Sequence, residues 1–243
     1  MKALVFAAGL GTRLRPLTDS MPKALVPVAG VPMLERVILK LEAAGFDEFV
    51  VNTHHFAQQI EDFVALKQEF GASVRISRER HRPLETGGGI KFARPLLEDG
   101  DFLVHNADIL SDADIPSFVS RHRPDSLATL LVHDAPAGRC FLFNDSMRLV
   151  GWTDTSTGEI RSPYPDLDLR KCRRLSFAGI HVISRSVFPL MEDWPDVFSI
   201  TDFYIKMCAE HTILGVEAKG LRLIDIGSPE KLREAEVLLR GGN

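Results

Sequence analysis

Two glycines separated by one residue, Gly9 and Gly11, are followed closely by Thr12, Arg13, Arg15 and Lys23. This spacing makes an anion site from a short length of chain. Glycine lets the backbone turn tightly and approach a ligand. The N–H groups exposed in such a turn form a concave cradle for oxyanions. Arg forks onto phosphate bidentately, and Lys acts as a point charge. A triphosphate is the natural guest. Neither of two common phosphate motifs explains the stretch. The P-loop spacing is absent, and the third glycine of the dinucleotide fingerprint is replaced by Leu14.

Acidic residues supply the complement. Asn106-Ala107-Asp108 closes the apolar run Phe102–His105. Ligands of open α/β sheets collect at the carboxyl ends of strands. Asp108 there suits Mg²⁺, which takes one or two carboxylates plus phosphate oxygens; a helix cap or turn is the other reading. Asp225 lies in Leu223–Pro229, a buried-looking strand before a helix, where a carboxylate needs a cation or several donors. A third stretch, Pro83-Leu84-Glu85-Thr86-Gly87-Gly88-Gly89, carries three consecutive glycines. It reads as a loop with its main chain against a nucleobase, or as a turn capping the next helix. His54-His55 has no third ligand at metal spacing, and nothing else supports Glu79 and Glu85 as a glycosidase pair.

The elements that position these residues follow from periodicity. Ala3–Phe6 reads as a buried strand leading into the glycines, and Pro32–Ala44 as a helix stopped by Gly45. Strands at 49–52 and 73–77 flank a helix at 57–69, and a helix follows the glycines at 90–97. This order builds a mostly parallel sheet with helices on both faces, an α/β fold. Residues 126–133 and 139–152 break the rhythm with consecutive strands, a small β excursion over one end of the sheet. The polar stretch 153–175 reads as a loop or lid, 177–183 returns as a strand, and 213–216 and 221–226 close the sheet before a helix at 229–239.

The 243 residues carry a net charge of −4, which gives no case for a nucleic-acid or membrane partner. Three scattered cysteines suggest neither a zinc knuckle nor a redox pair. No run approaches a membrane span. The expected location is the cytoplasm.

The whole string Gly9-x-Gly11-Thr12-Arg13-Leu14-x-Pro16-x-Thr18, followed by Pro22-Lys23, resembles the signature of the sugar-1-phosphate nucleotidylyltransferases. The form of 83–89 and the short chain are most similar to the uridylyltransferases of cell-wall recycling, which act on N-acetylmuramic acid 1-phosphate. The resemblance implies a Rossmann-like nucleotidyltransferase fold in one domain over 1–243, with 1–125 binding nucleotide and 126–243 binding sugar phosphate. It implies nucleotide-sugar synthesis: an NTP, here UTP, and a sugar 1-phosphate give NDP-sugar and pyrophosphate. Arg13 and Lys23 would be catalytic. Ala8, Gly9, Gly11, Thr12, Pro83, Thr86, Gly87 and Asn106 would bind nucleotide. Asn144, Glu159 and Gly179 would contact the sugar phosphate, and Asp108 and Asp225 would hold Mg²⁺. The enzyme would be a monomer or small homo-oligomer. A Glu-Lys-Pro segment of longer relatives is replaced by Trp152-Thr153-Asp154, which leaves the sugar contacts in 150–175 open. Competing readings are a guanylyltransferase for heptose or mannose 1-phosphate, a choline-phosphate cytidylyltransferase, and a non-catalytic nucleotide-sensing regulator of the same fold.

Overall fold

The computed structural model describes residues 1–134 and 138–240. The first apolar run forms β1 (Lys2–Phe6), and its alternation sets the layering. Ala3 and Val5 meet one layer of helices and Leu4 the other. A small hairpin, β2 (Pro27–Val28) and β3 (Val31–Pro32), precedes α1 (Met33–Ala43), which buries Leu34, Val37, Ile38 and Leu41. Then come β4 (Glu48–Thr53), α2 (Ala57–Leu66) and β5 (Ser73–Arg78). The helix α2 stops short of residue 69 because Gln68, Glu69 and Phe70 all take positive φ.

The triglycine stretch is not a loop. It lies inside α3 (Glu85–Phe92), which is followed by α4 (Arg94–Leu97). Glycine is a poor helix former, and tertiary packing overrides that preference here. A Cβ on Gly87 would fall 2.3 Å from the Phe198 ring, and one on Gly88 2.1 Å from the Asp196 carbonyl oxygen. The N–H groups of Gly87 and Gly88 both donate to the Phe198 carbonyl, at 2.9 and 3.2 Å. The glycines therefore serve close approach between α3 and the segment that follows Trp194.

Next are β6 (Phe102–Asn106), β7 (Ile109–Ser111), α5 (Ile115–Val119) and β8 (Ala128–His133). A run of strands, β9 (Arg139–Phe143), β10 (Leu149–Asp154), β11 (Glu159–Arg161) and β12 (Arg173–Ile183), leads to α6 (Val187–Met191) and α7 (Ile200–Met207). The chain ends with β13 (Ile213–Glu217), β14 (Leu223–Asp225) and α8 (Pro229–Arg240). Among the described residues, ten strands share one sheet. The path runs β11-β10-β9-β12-β6-β1-β4-β5, with β8 beside β12 and β13 beside β8.

The strands β6, β1, β4 and β5 are parallel, and β12 is antiparallel to β6. The sheet is thus mixed, with helices on both faces, as expected. Three expectations are corrected. The β excursion does not lie over the sheet; β9, β10 and β11 extend it from the outer part of β12, where Arg173 pairs with Phe143. The stretch 153–175 is not all loop, because ladder pairing with β10 and β9 orders Glu159–Arg161 and the start of β12 despite their polar composition. The strand β14 does not close the main sheet; it pairs with β7 in a separate two-stranded ribbon. Among the described residues, no helix is long and apolar enough to cross a membrane.

Candidate active site

Parallel register aligns the carboxyl ends of four strands. Asn106, Phe6, Asn52 and Ser77 stand opposite one another across β6, β1, β4 and β5. Beyond this row opens a cleft of about 240 Å³. Ala8, Gly9, Pro83, Thr86, Asn106 and Asp108, all singled out from the sequence, line it. Gly9 has open space where a Cβ would stand. Gly11 turns the chain at φ +64°, and its carbonyl accepts the Thr18 hydroxyl at 2.7 Å. A Cβ there would meet Thr18 at 2.8 Å, so the turn needs glycine. Buried Leu14 anchors the far side of the turn.

Lys23 is buried, 9% exposed, and its ammonium lies between two carboxylates. It hydrogen-bonds to Asp108 and stands 3.5 Å from Asp225 Oδ1. The ribbon of β7 and β14 brings the aspartates together: Asp225 pairs with Ile109, and Ile226 N–H donates to the Asp108 carbonyl at 3.0 Å. The sequence reading of Asp225 as buried is corrected, because its side chain is half exposed. The ribbon of β7 and β14 is separate from the main sheet. The Arg13 guanidinium lies over Gly227, where a Cβ would come within 2.6 Å of it and 3.1 Å of Asp225 Oδ1.

These residues fit a divalent cation. Two carboxylates converge on one positive group beside a phosphate-sized cleft, and Mg²⁺ needs no more protein ligands than that when phosphates supply the rest. No cluster of three or more His, Cys, Asp or Glu that could hold a metal occurs among the described residues.

Other residues chosen from sequence are placed differently. The Thr86 hydroxyl accepts Ile200 N–H at 3.0 Å, so it also ties α3 to α7. Gly87 packs on Phe198 and does not line the cleft. Gly179, at φ +70°, lies against the Asn106 side chain, with room for no Cβ there. Asn144 is not brought to the cleft. Its Oδ1 accepts Ser146 and Arg148 N–H at 3.0 and 2.9 Å, closing the β9–β10 turn, and it borders a separate cleft with Tyr164, Asp168 and Lys171. Glu159 is exposed on the outermost strand, near Arg161.

The cleft also holds residues that sequence reasoning missed: Phe6, Leu10, Asn52, Glu79 and Glu85. Glu79, set aside earlier as a glycosidase acid, is buried, and its two oxygens accept Asn52 Nδ2 and Leu84 N–H, both at 2.8 Å. Glu85 holds a left-handed backbone at φ +59°, a strained conformation for this residue at the cleft wall. The rule that selected Asn106, a polar residue at the carboxyl end of a strand, selects Asn52 equally. His105, beside Asn106, is fully buried, and burial pushes its imidazole down to about 4.

The family model described as nucleotidyl transferase matches residues 2–138. The chain belongs to the nucleotidyl transferase family. It is 32% identical to an N-acetylmuramate alpha-1-phosphate uridylyltransferase of Caulobacter vibrioides, over 98% of this chain and 96% of that protein. It is 42% identical to a protein of the same name from Neisseria meningitidis, over 50% of this chain and 57% of that one. Its fold matches a putative glucose-1-phosphate thymidylyltransferase from Bacillus anthracis with a TM-score of 0.80 at 20% identity, covering 100% of this chain and 96% of that one. This nucleotidyltransferase's relatives act on sugar phosphates, so the reaction class expected from Gly9–Lys23 holds.

Proposed function

We propose that the enzyme transfers uridylyl from UTP to N-acetylmuramic acid 1-phosphate, releasing pyrophosphate. One observation carries the chemistry: Lys23 bridges Asp108 and Asp225, and Asp108 lines the same cleft as Gly9. The choice of uridine and of muramic acid rests on the Caulobacter relative, which matches over 98% of this chain and 96% of its own length. An oxygen of the sugar phosphate attacks the α-phosphorus, and the bond to the β-phosphate oxygen breaks. The nucleophile is already an anion, so no covalent enzyme intermediate is needed. Catalysis reduces to positioning and charge neutralisation.

In this reading, backbone N–H groups from Gly9 to Thr12 and the Arg13 guanidinium hold the triphosphate. Asp108 and Asp225 would hold Mg²⁺, which would supply positive charge to phosphate oxygens. The Lys23 ammonium would offset the negative charge that develops on the α-phosphate. Asn106, packed against Gly179, meets the nucleotide sugar or base. Ala8, Pro83 and Thr86 line the base side, and residues from 126 onward take the sugar. Asn144, whose side-chain oxygen already closes its turn, is left out. The test is a matrix of four nucleoside triphosphates against sugar 1-phosphates, read by pyrophosphate release. UTP with N-acetylmuramic acid 1-phosphate should turn over best. A higher turnover for GTP with a heptose or mannose phosphate replaces this reading with the guanylyltransferase one.

A further inference from the structure

One polar atom in the cleft wall has no partner. Asn52 is fully buried on β4, and its Oδ1 accepts no hydrogen bond among the described residues. Its amide orientation is decided by its neighbour. A carboxylate only accepts, so Glu79 Oε1 must face the amide nitrogen, at 2.8 Å. Glu79 is itself pinned by Leu84 N–H on its other oxygen. Asn52 therefore cannot turn, and Oδ1 is held as a lone acceptor. Leaving a buried acceptor unpaired is costly, and such a group calls for a ligand donor.

Both Asn52 and Glu79 border the cleft assigned to the nucleotide, and Glu79 is tied through Leu84 N–H to the stretch that carries Pro83 and Thr86. We propose that Asn52 reads the nucleobase, its Oδ1 accepting the imino N–H of the base, and that Glu79 is the positioning residue that keeps this acceptor from turning away. The inference rests on the nucleotide reading of this cleft. Uracil presents N3–H at its edge, whereas cytosine presents a bare N3 acceptor, which would face Oδ1 lone pair to lone pair. The pair Asn52–Glu79 thus discriminates by chemistry rather than by size.

The test compares UTP, CTP and N3-methyl-UTP in steady-state turnover with wild type, Glu79→Gln and Asn52→Ala, with melting temperature as the folding control. Wild type should prefer UTP over N3-methyl-UTP by at least about a hundredfold in kcat/KM, since a site built to bond a donor rejects the analogue lacking it. Gln at position 79 keeps the shape but offers Asn52 a donor, which frees the amide to flip. The UTP-to-CTP preference should then fall about tenfold or more, mostly through KM, because the base is remote from the reacting phosphorus. Asn52→Ala should bring UTP and N3-methyl-UTP within a few fold of each other. Equal use of UTP and N3-methyl-UTP by wild type overturns the proposal. So does an unchanged UTP-to-CTP ratio in folded Glu79→Gln, which would mean that Oδ1 meets only a bridging water to unpartnered Ser77. If a variant does not fold, the wild-type comparison alone decides. If GTP wins the triphosphate matrix, the uridine reading falls, and GTP against N1-methyl-GTP decides the role of Asn52.

Discussion

The Lys23 ammonium and the Asp108 carboxylate, 85 residues apart in the chain, form a direct ion pair at the edge of the nucleotide cleft. In the proposed reaction, the pair would make Lys23 a competitor for the cation as well as a catalytic charge. Lys23→Ala should lower kcat by about a hundredfold or more, because its charge acts when negative charge shifts on the α-phosphate. UTP binding should change little. Two carboxylates relieved of an ammonium should also bind Mg²⁺ more tightly. Calorimetric titration with Mg²⁺ and steady-state kinetics check both; weaker UTP binding at unchanged kcat would move Lys23 to a binding role.

Asp225→Asn should cost on the order of a thousandfold in turnover at ordinary Mg²⁺, the loss of several kcal/mol at the transition state. The melting temperature in EDTA should stay nearly constant, since the side chain is half exposed and Lys23 keeps Asp108. Asp108→Asn should lose as much activity, and the double variant little more. Near-normal turnover of either single variant removes that aspartate from the site.

Gly88→Ala tests the seat of α3. Its Cβ would meet the Asp196 backbone, so overpacking should cost about 2 kcal/mol and lower Tm by roughly 5 °C. Gly100→Ala, where a Cβ meets nothing, is the control and should be near neutral. Equal melting of the two variants would show that the packing relaxes at no cost.

Acid should destabilise the fold before it touches the carboxylates. Burial pushes His105 down to about 4 and His181 down to about 3. Both stay neutral in the folded chain, while the unfolded chain binds protons near 6.5. Below 6.5 the unfolded state therefore holds more protons, and stability falls as pH drops, by up to about 1.4 kcal/mol per pH unit for each histidine. For His105 the loss runs from 6.5 to about 4. Urea unfolding at pH 7.5, 6 and 5 should show it, with a shallower slope in His181→Gln. Constant stability between pH 7 and 5 would contradict the buried neutral state.

The sheet and the family string Gly9–Lys23 are legible in the sequence because those features are local. Ala3–Phe6 is a continuous apolar run, and Gly9–Lys23 is one contiguous string. Asp108 was legible from its place after a strand, a rule that carries across α/β sheets. The helix at 85–92 was hidden, because glycine propensity argued against it and only Phe198 and Asp196 explain it. Asp225 looked buried because its flanking residues are apolar, yet β14 pairs with β7 outside the main sheet. Asn52 escaped notice because an asparagine at a strand end carries no charge to draw attention, and its link to Glu79 spans two strands.

The seat of α3 also bears on the order in which the chain is made. Gly87 and Gly88 donate to a carbonyl that lies more than a hundred positions later, on Phe198. A growing chain carries the phosphate loop, β4 and β5 long before that carbonyl exists. Until it emerges, three glycines must hold a helix by themselves, at a disadvantage of about 1 kcal/mol each against alanine. The wall that bears Glu85 and Thr86 is therefore among the last parts of the nucleotide cleft to set. A nascent N-terminal half is an unfinished vessel, able to form its strands early but not to complete the cleft wall.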